Sequence, residues 1–274
     1  MSARPDFLAL YRAIIWRLWR EQRRAIVALA LSTMTLLLAI VVVLAFRPAL
    51  LAGLAPRTWW LAAGGPMSGV VPTTGAAARA PAFLVHQAPY VVALFAGLSA
   101  ATVASRLVAG EVDRGSLEIL LAMRHPIGAI GGAMVMAAWT IAGLGWLLLV
   151  ALLLCASTSI DVFQSLDLAA SAADLGAAAA MQLVLTLLSA QLAVIVTLVL
   201  PGVARTHTGV AADPATLIAA LPALFAFLAA SLCPQWSTVR LGLFACVAGL
   251  VLLSFSAVSI RLWFRPERFL ESGS

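Results

Sequence analysis

The sequence predicts an all-α polytopic membrane protein, and three observations carry that expectation. Of its 274 residues, 63% are hydrophobic and 10% are charged, against about 25% charged in an ordinary soluble domain. Mean hydropathy is +1.06. Apolar runs long enough to cross a bilayer, about 18 residues or more, recur along the chain. A β-barrel would instead be written as short alternating strands.

The elements follow in order. Residues 5–24 carry Phe7, Leu10, Tyr11, Ile14 and Leu18 at helical spacing, widened by Ile15 and Trp19, with Arg12, Arg20, Arg23 and Arg24 on the other side. This reads as an N-terminal amphipathic helix suited to the headgroup plane; Trp16 falls on its polar side. A transit peptide or secretory signal fits less well, because the segment contains Asp6 and Glu21 and the apolar run directly after it is of full spanning length. Spans are expected at about 25–46, 89–108, 127–155, 177–200, 215–232 and 241–260. A Gly/Pro/Ala-rich loop separates the first two, with Trp59 and Trp60 at an interface position. Asp161, Asp167 and Asp174 read as a short acidic loop, and Pro222 interrupts the fifth span.

Six spans put both termini on one side. Thirteen arginines fall on that side, and Arg47, Arg57, Arg79 and Arg240 fall on the other. The positive-inside rule therefore makes the termini cytoplasmic, in a multi-pass cell (inner or plasma) membrane protein. This placement also accounts for the net charge of +6 without nucleic acid. The whole chain reads as one transmembrane domain, residues 1–274.

Composition excludes some chemistry. Lysine is absent, which rules out a P-loop and a Schiff-base lysine. Three cysteines and three histidines are scattered, with no CxxC or HExxH, so no metal site and no catalytic residue is expected. No ionisable residue falls deep in a predicted span, which argues against an ion-coupled carrier. Gln182, Thr186 and Ser189 share one face of the fourth span; they either join helices or line a substrate pathway. Gly128 and Gly132 form a GxxxG, and Gly97, Ala101 and Ser105 continue small-xxx-small spacing, both signs of close helix packing.

Between the second and third spans lies "AGEVDRGSLEILLAMRHP", residues 109–126. Gly115 allows a turn, Ser116 suits an N-cap, and Glu118 and Arg124 match the dipole at the two ends of a short helix over 116–124. Pro126 stops it. Leu117, Leu120 and Leu121 form one stripe, while Ile119 and Met123 point elsewhere. A helix apolar on most sides needs cover on most sides. A cytoplasmic protein supplies that cover more economically than lipid.

This segment resembles the signature of ABC-2 type transporter permeases. Glu111, Gly115, Ser116, Leu117, Glu118, Leu120 and Leu121 match in order and spacing, with Ser for the usual Thr. The layout of spans resembles that family over essentially the whole chain. Pro126 comes later than the family's proline, and Ala133 and Met134 stand where Gly-Lys is common. The resemblance implies a permease subunit that pairs with a second copy or a homologous permease to form an export pathway. It further implies two copies of a separate ABC ATPase subunit. Helix 116–124, with Glu111, Arg114 and Arg124, would be the coupling helix docking on that ATPase, and the N-terminal helix would touch it as well. ATP and Mg would sit on the partner; this chain would bind no cofactor and hydrolyse nothing. A secondary transporter or channel without an ATPase, and a membrane-embedded enzyme, are the alternatives.

Overall fold

The computed structural model describes residues 7–46, 76–116, 119–120, 127–164, 172–200, 214–232 and 238–263. They form six long helices: α1 Phe7–Phe46, α2 Ala76–Asp113, α3 Ile127–Gln164, α4 Ala172–Val199, α5 Pro214–Leu232 and α6 Thr238–Trp263. No strand occurs among the described residues. Four stretches are long and apolar enough to cross a membrane: Pro89–Asp113, Gly128–Ala151, Gly176–Val199 and Val239–Ser256. The apolar part of α5, Pro214–Ala230, is shorter. This architecture fits a multi-pass membrane protein.

Several boundaries differ from the sequence expectation. The amphipathic segment and the first predicted span are one helix, with no break near residue 24. The reason is local: no Gly or Pro lies between Phe7 and Phe46, so nothing there interrupts the hydrogen-bond ladder. α2 starts at Ala76, inside the stretch read as a loop, and runs to Asp113. Asp161 belongs to α3. Asp174 falls in the first turn of α4 rather than in a loop. Asp167 lies outside the described residues. α5 continues through Pro222 as a single helix rather than breaking there.

α4 is the axis of the bundle. It packs against α2, α3, α5 and α6. The apolar stretch of α4 is 67% buried, whereas that of α6 is only 22% buried. The main core joins Ala101, Ala104 and Val108 of α2, Ala133, Met134 and Ala137 of α3, and Ala190, Ala193 and Val194 of α4. Small side chains let these backbones approach, which is how helices associate where lipid is as apolar as leucine. A second core brings Tyr90, Met181, Leu185, Ala223 and Leu241 together.

The closest approaches are made by other glycines than the GxxxG pair. A Cβ added at Gly97 would lie 2.9 Å from Ser189 Oγ and 3.2 Å from Ala223 Cβ. One at Gly249 would lie 2.5 Å from Val184 Cγ1. Gly128 has open space around it, and Gly132 meets only the Phe7 ring at an ordinary 3.5 Å.

The apolar stripe of α1 turns inward. Ile14 and Leu18 are buried in the main core, with Leu10, Tyr11 and Ile15 packed against it. Tyr11 and Thr140 share a hydrogen bond of 2.8 Å between their hydroxyls. The stripe from Leu10 to Leu18 is thus covered by protein, whereas Phe7 and Trp19, read with it from the sequence, stay exposed along with the opposite face of α1.

Candidate functional site

Two polar regions stand out in an apolar chain. The first is the corner where α2 ends. Gly115 has φ 67°, a left-handed conformation that costs a residue with a Cβ about 1–2 kcal/mol. Its N–H donates to the Val112 carbonyl at 3.0 Å, closing α2. Its own carbonyl accepts from Ile119 N at 3.2 Å, starting the next helical turn. Gly115, not Ser116, therefore holds the capping position, since the N-cap carbonyl accepts the first intrahelical bond. Ser116 Oγ accepts instead from Arg17 Nη1 at 3.3 Å.

Glu111 is the buried charge of this corner, 5% exposed. Its Oε2 accepts from Arg17 Nη1 at 3.4 Å. Its Oε1 lies 3.9 Å from Arg114 Nη1, one helical turn on. Burying a lone carboxylate is expensive. Two guanidiniums offset that cost while keeping roughly two fifths of their own side chains in contact with solvent (40% for Arg17, 42% for Arg114). One arginine of α1 thereby joins α1, the end of α2 and the start of the segment at Ser116.

The segment beyond the corner is described only in part. Leu120 packs against the main core, and Ile119 is 58% exposed. These two faces agree with the spacing that separates Leu120 from Ile119. Leu117, Glu118, Leu121 and Arg124 lie outside the described residues.

The second region is the polar face of α4. Gln182 is buried and bridges three helices: Nε2 donates to the Pro89 carbonyl at 3.2 Å, and Oε1 accepts from Trp146 Nε1 at 3.3 Å. Thr186 donates back to the Gln182 carbonyl at 2.7 Å. Ser189 Oγ is buried against Gly97 with no hydrogen-bond partner among the described residues. Two residues on, Gln191 Nε2 donates to Ser256 Oγ at 2.6 Å and to the Leu253 carbonyl at 2.9 Å, tying α4 to α6. Trp139 Nε1 reaches the Leu187 carbonyl at 3.1 Å from α3. Gln182, Thr186 and Ser189 are thus enclosed between helices, with neutral partners or none.

Sequence reasoning missed Arg17 and Gln191 as organising residues. Arg17 carried a signal: it sits three positions after Ile14 and seven after Leu10, on the flank of the stripe that buries itself. A charge at that flank needs a partner, and Glu111 is the nearest buried acid. The distance between them along the chain hid the pair.

Neither region contains a nucleophile beside a base among its described residues. No group of three or more metal-ligating side chains occurs among the described residues. Compared with known proteins, the chain matches no family model, no curated protein and no solved structure.

Proposed function

We propose that the chain is the membrane subunit of an ATP-driven exporter of the ABC-2 type, working with a separate ATPase. It would form the pathway as a dimer of permeases, with six spans and both termini in the cytoplasm of a cell membrane. ATP and Mg would be bound by two partner ATPase subunits. The observation that carries this reading is the corner at Gly115, which ends an apolar helix and starts a further helical turn at Ile119, in a sequence with the residue order of that family. The burial of Glu111 under Arg17 supports it, because a corner that transmits force from a docked partner must be fixed to the bundle. The outward face of Ile119 supports it too, since an exposed aliphatic beside a packed Leu120 leaves a face for a second protein.

In this mechanism nucleotide binding closes the ATPase dimer. The coupling helix moves with it, and the spans shift between inward- and outward-facing packings. The nucleotide drives the change by its different affinity for the two states.

Replacing the exposed Ile119 by Asp tests the docking role, because Leu120 beside it is packed against the chain's own core. The expected result is normal membrane insertion with loss of the ATPase subunit from the purified complex. Gly115→Val is expected to lower transport-coupled ATP hydrolysis with less effect on complex yield. Unchanged complex yield and unchanged hydrolysis in both variants would contradict the docking role. Transport by the chain alone on an ion gradient would favour a secondary transporter.

A further inference from the structure

We infer that the outward face of the N-terminal part of α1 is a binding surface for anionic phospholipid headgroups. This does not rest on the transporter reading. Because the apolar stripe of α1 is packed into the protein, its opposite face is free to meet something else. That face carries Arg12, Trp16, Trp19, Arg20 and Arg23, at positions i, i+4, i+7, i+8 and i+11 of one helix. All five are exposed, Trp16 at 69% and Trp19 at 46%. Between Phe7 and Arg24 the chain has five arginines and one acid, Glu21.

Two observations choose lipid over a protein. The first is depth. Arg17, in the middle of this segment, donates to Glu111, two residues before the end of the apolar stretch Pro89–Asp113. Arg17 thus lies level with the charged end of α2, outside the uncharged run of residues 89–105, which leaves α1 from Arg12 to Arg23 at headgroup depth. The second is the continuation of the same face. Four and eight residues beyond Arg23 stand Val27, 49% exposed, and Leu31, 57% exposed. One helix face therefore changes from Arg and Trp to aliphatic residues, as an element does on passing from the headgroup layer into acyl chains. Trp belongs at that boundary. Arg presents a planar fork that can grip a phosphate with two hydrogen bonds, and each basic residue at a membrane surface adds to attraction for anionic lipid.

The test uses the full-length chain purified in a neutral detergent. Phosphatidylglycerol and phosphatidylcholine with matched acyl chains compete for it, and retained lipid is counted by native mass spectrometry. Wild type is expected to retain phosphatidylglycerol in preference. The Arg12→Gln/Arg20→Gln/Arg23→Gln variant is expected to lose about tenfold of that preference, and high salt is expected to weaken it in wild type. Trp16→Ala/Trp19→Ala is expected to lower retention of both lipids alike. Arg106→Gln, an exposed arginine on α2, is expected to keep the preference, which separates this face from charge in general. Equal preference in wild type and the triple variant would overturn the assignment, as would no preference in wild type. Loss of a protein partner by the triple variant with lipid preference intact would give the face to that protein and overturn it as well.

Discussion

Halfway along α4 the polar side chains are neutral; at the end of α2 they are charged. On α4, Gln182 and Gln191 bond to carbonyls, a hydroxyl and an indole of neighbouring helices, and Thr186 to the Gln182 carbonyl of its own helix. At the corner, Glu111 is held by Arg17 and Arg114, which remain partly exposed. The difference follows from dielectric. An amide or hydroxyl can be satisfied by backbone within an apolar bundle, at modest net gain per contact. A carboxylate needs compensating charge, and its partners are most easily kept charged where water reaches them. The axis of the bundle is therefore built to hold helices together, while the corner ties the chain at Ser116 to α1 and the end of α2.

The largest effect should come from breaking the charged corner on its exposed side. Arg17→Ala leaves the Glu111 carboxylate buried with Arg114 alone at 3.9 Å. We expect a loss of about 2–3 kcal/mol, below the 3–5 kcal/mol of a fully buried pair because Arg17 is partly solvated. Glu111→Gln should cost less, about 1 kcal/mol, since a neutral amide still accepts from Arg17. Unfolding of the detergent-solubilised variants in denaturant reads the order; equal losses would remove the asymmetry on which the comparison stands.

Next comes packing at the axis. Gly97→Val places methyl groups against Ser189 Oγ and Ala223 and should cost about 1–3 kcal/mol by overpacking. A thermal midpoint equal to that of wild type would show that α2 and α4 separate more easily than their contact implies. Smaller still is Gln191→Leu, which gives up two hydrogen bonds to α6. A loss of about 1 kcal/mol is expected, with the same folding assay as its check.

The smallest effect has the opposite sign. Ser189 Oγ is buried without a described partner, so Ser189→Ala removes a desolvated hydroxyl. Stability should stay level or rise by up to about 1 kcal/mol. A clear loss on the same thermal scale would mean that the hydroxyl is satisfied after all, and that the α4 face is polar for more than helix packing.

Much of the helical layout was legible in the sequence, because helix-length apolar runs leave few alternatives once backbone groups must be satisfied internally. The predicted spans at 127–155, 177–200, 215–232 and 241–260 fall within or close to α3, α4, α5 and α6. The turn at Gly115 was legible from composition too, although the cap sits one residue earlier than Ser116 suggests. What could not be read was which way α1 faces. An amphipathic stripe says that one side is covered, and protein and lipid cover it equally well by pattern. Only the position of Ile14 and Leu18 in the core decides for protein. The Arg17–Glu111 pair was hidden for a related reason, since the partners belong to different helices and no periodicity links them. The small-residue spacing was a sound guide at Gly97, which meets Ser189 and Ala223, but not at Gly128 and Gly132, because GxxxG permits close approach without requiring a neighbour.

The proposed role as an exporter subunit is tested most directly by purifying the tagged full-length chain from its native membrane and measuring ATP hydrolysis by the complex. The expected result is a co-purifying subunit that carries a P-loop, hydrolyses ATP, and is lost when the exposed Ile119 is replaced by Asp. A chain that purifies without any P-loop subunit and moves substrate on an ion gradient alone would contradict it.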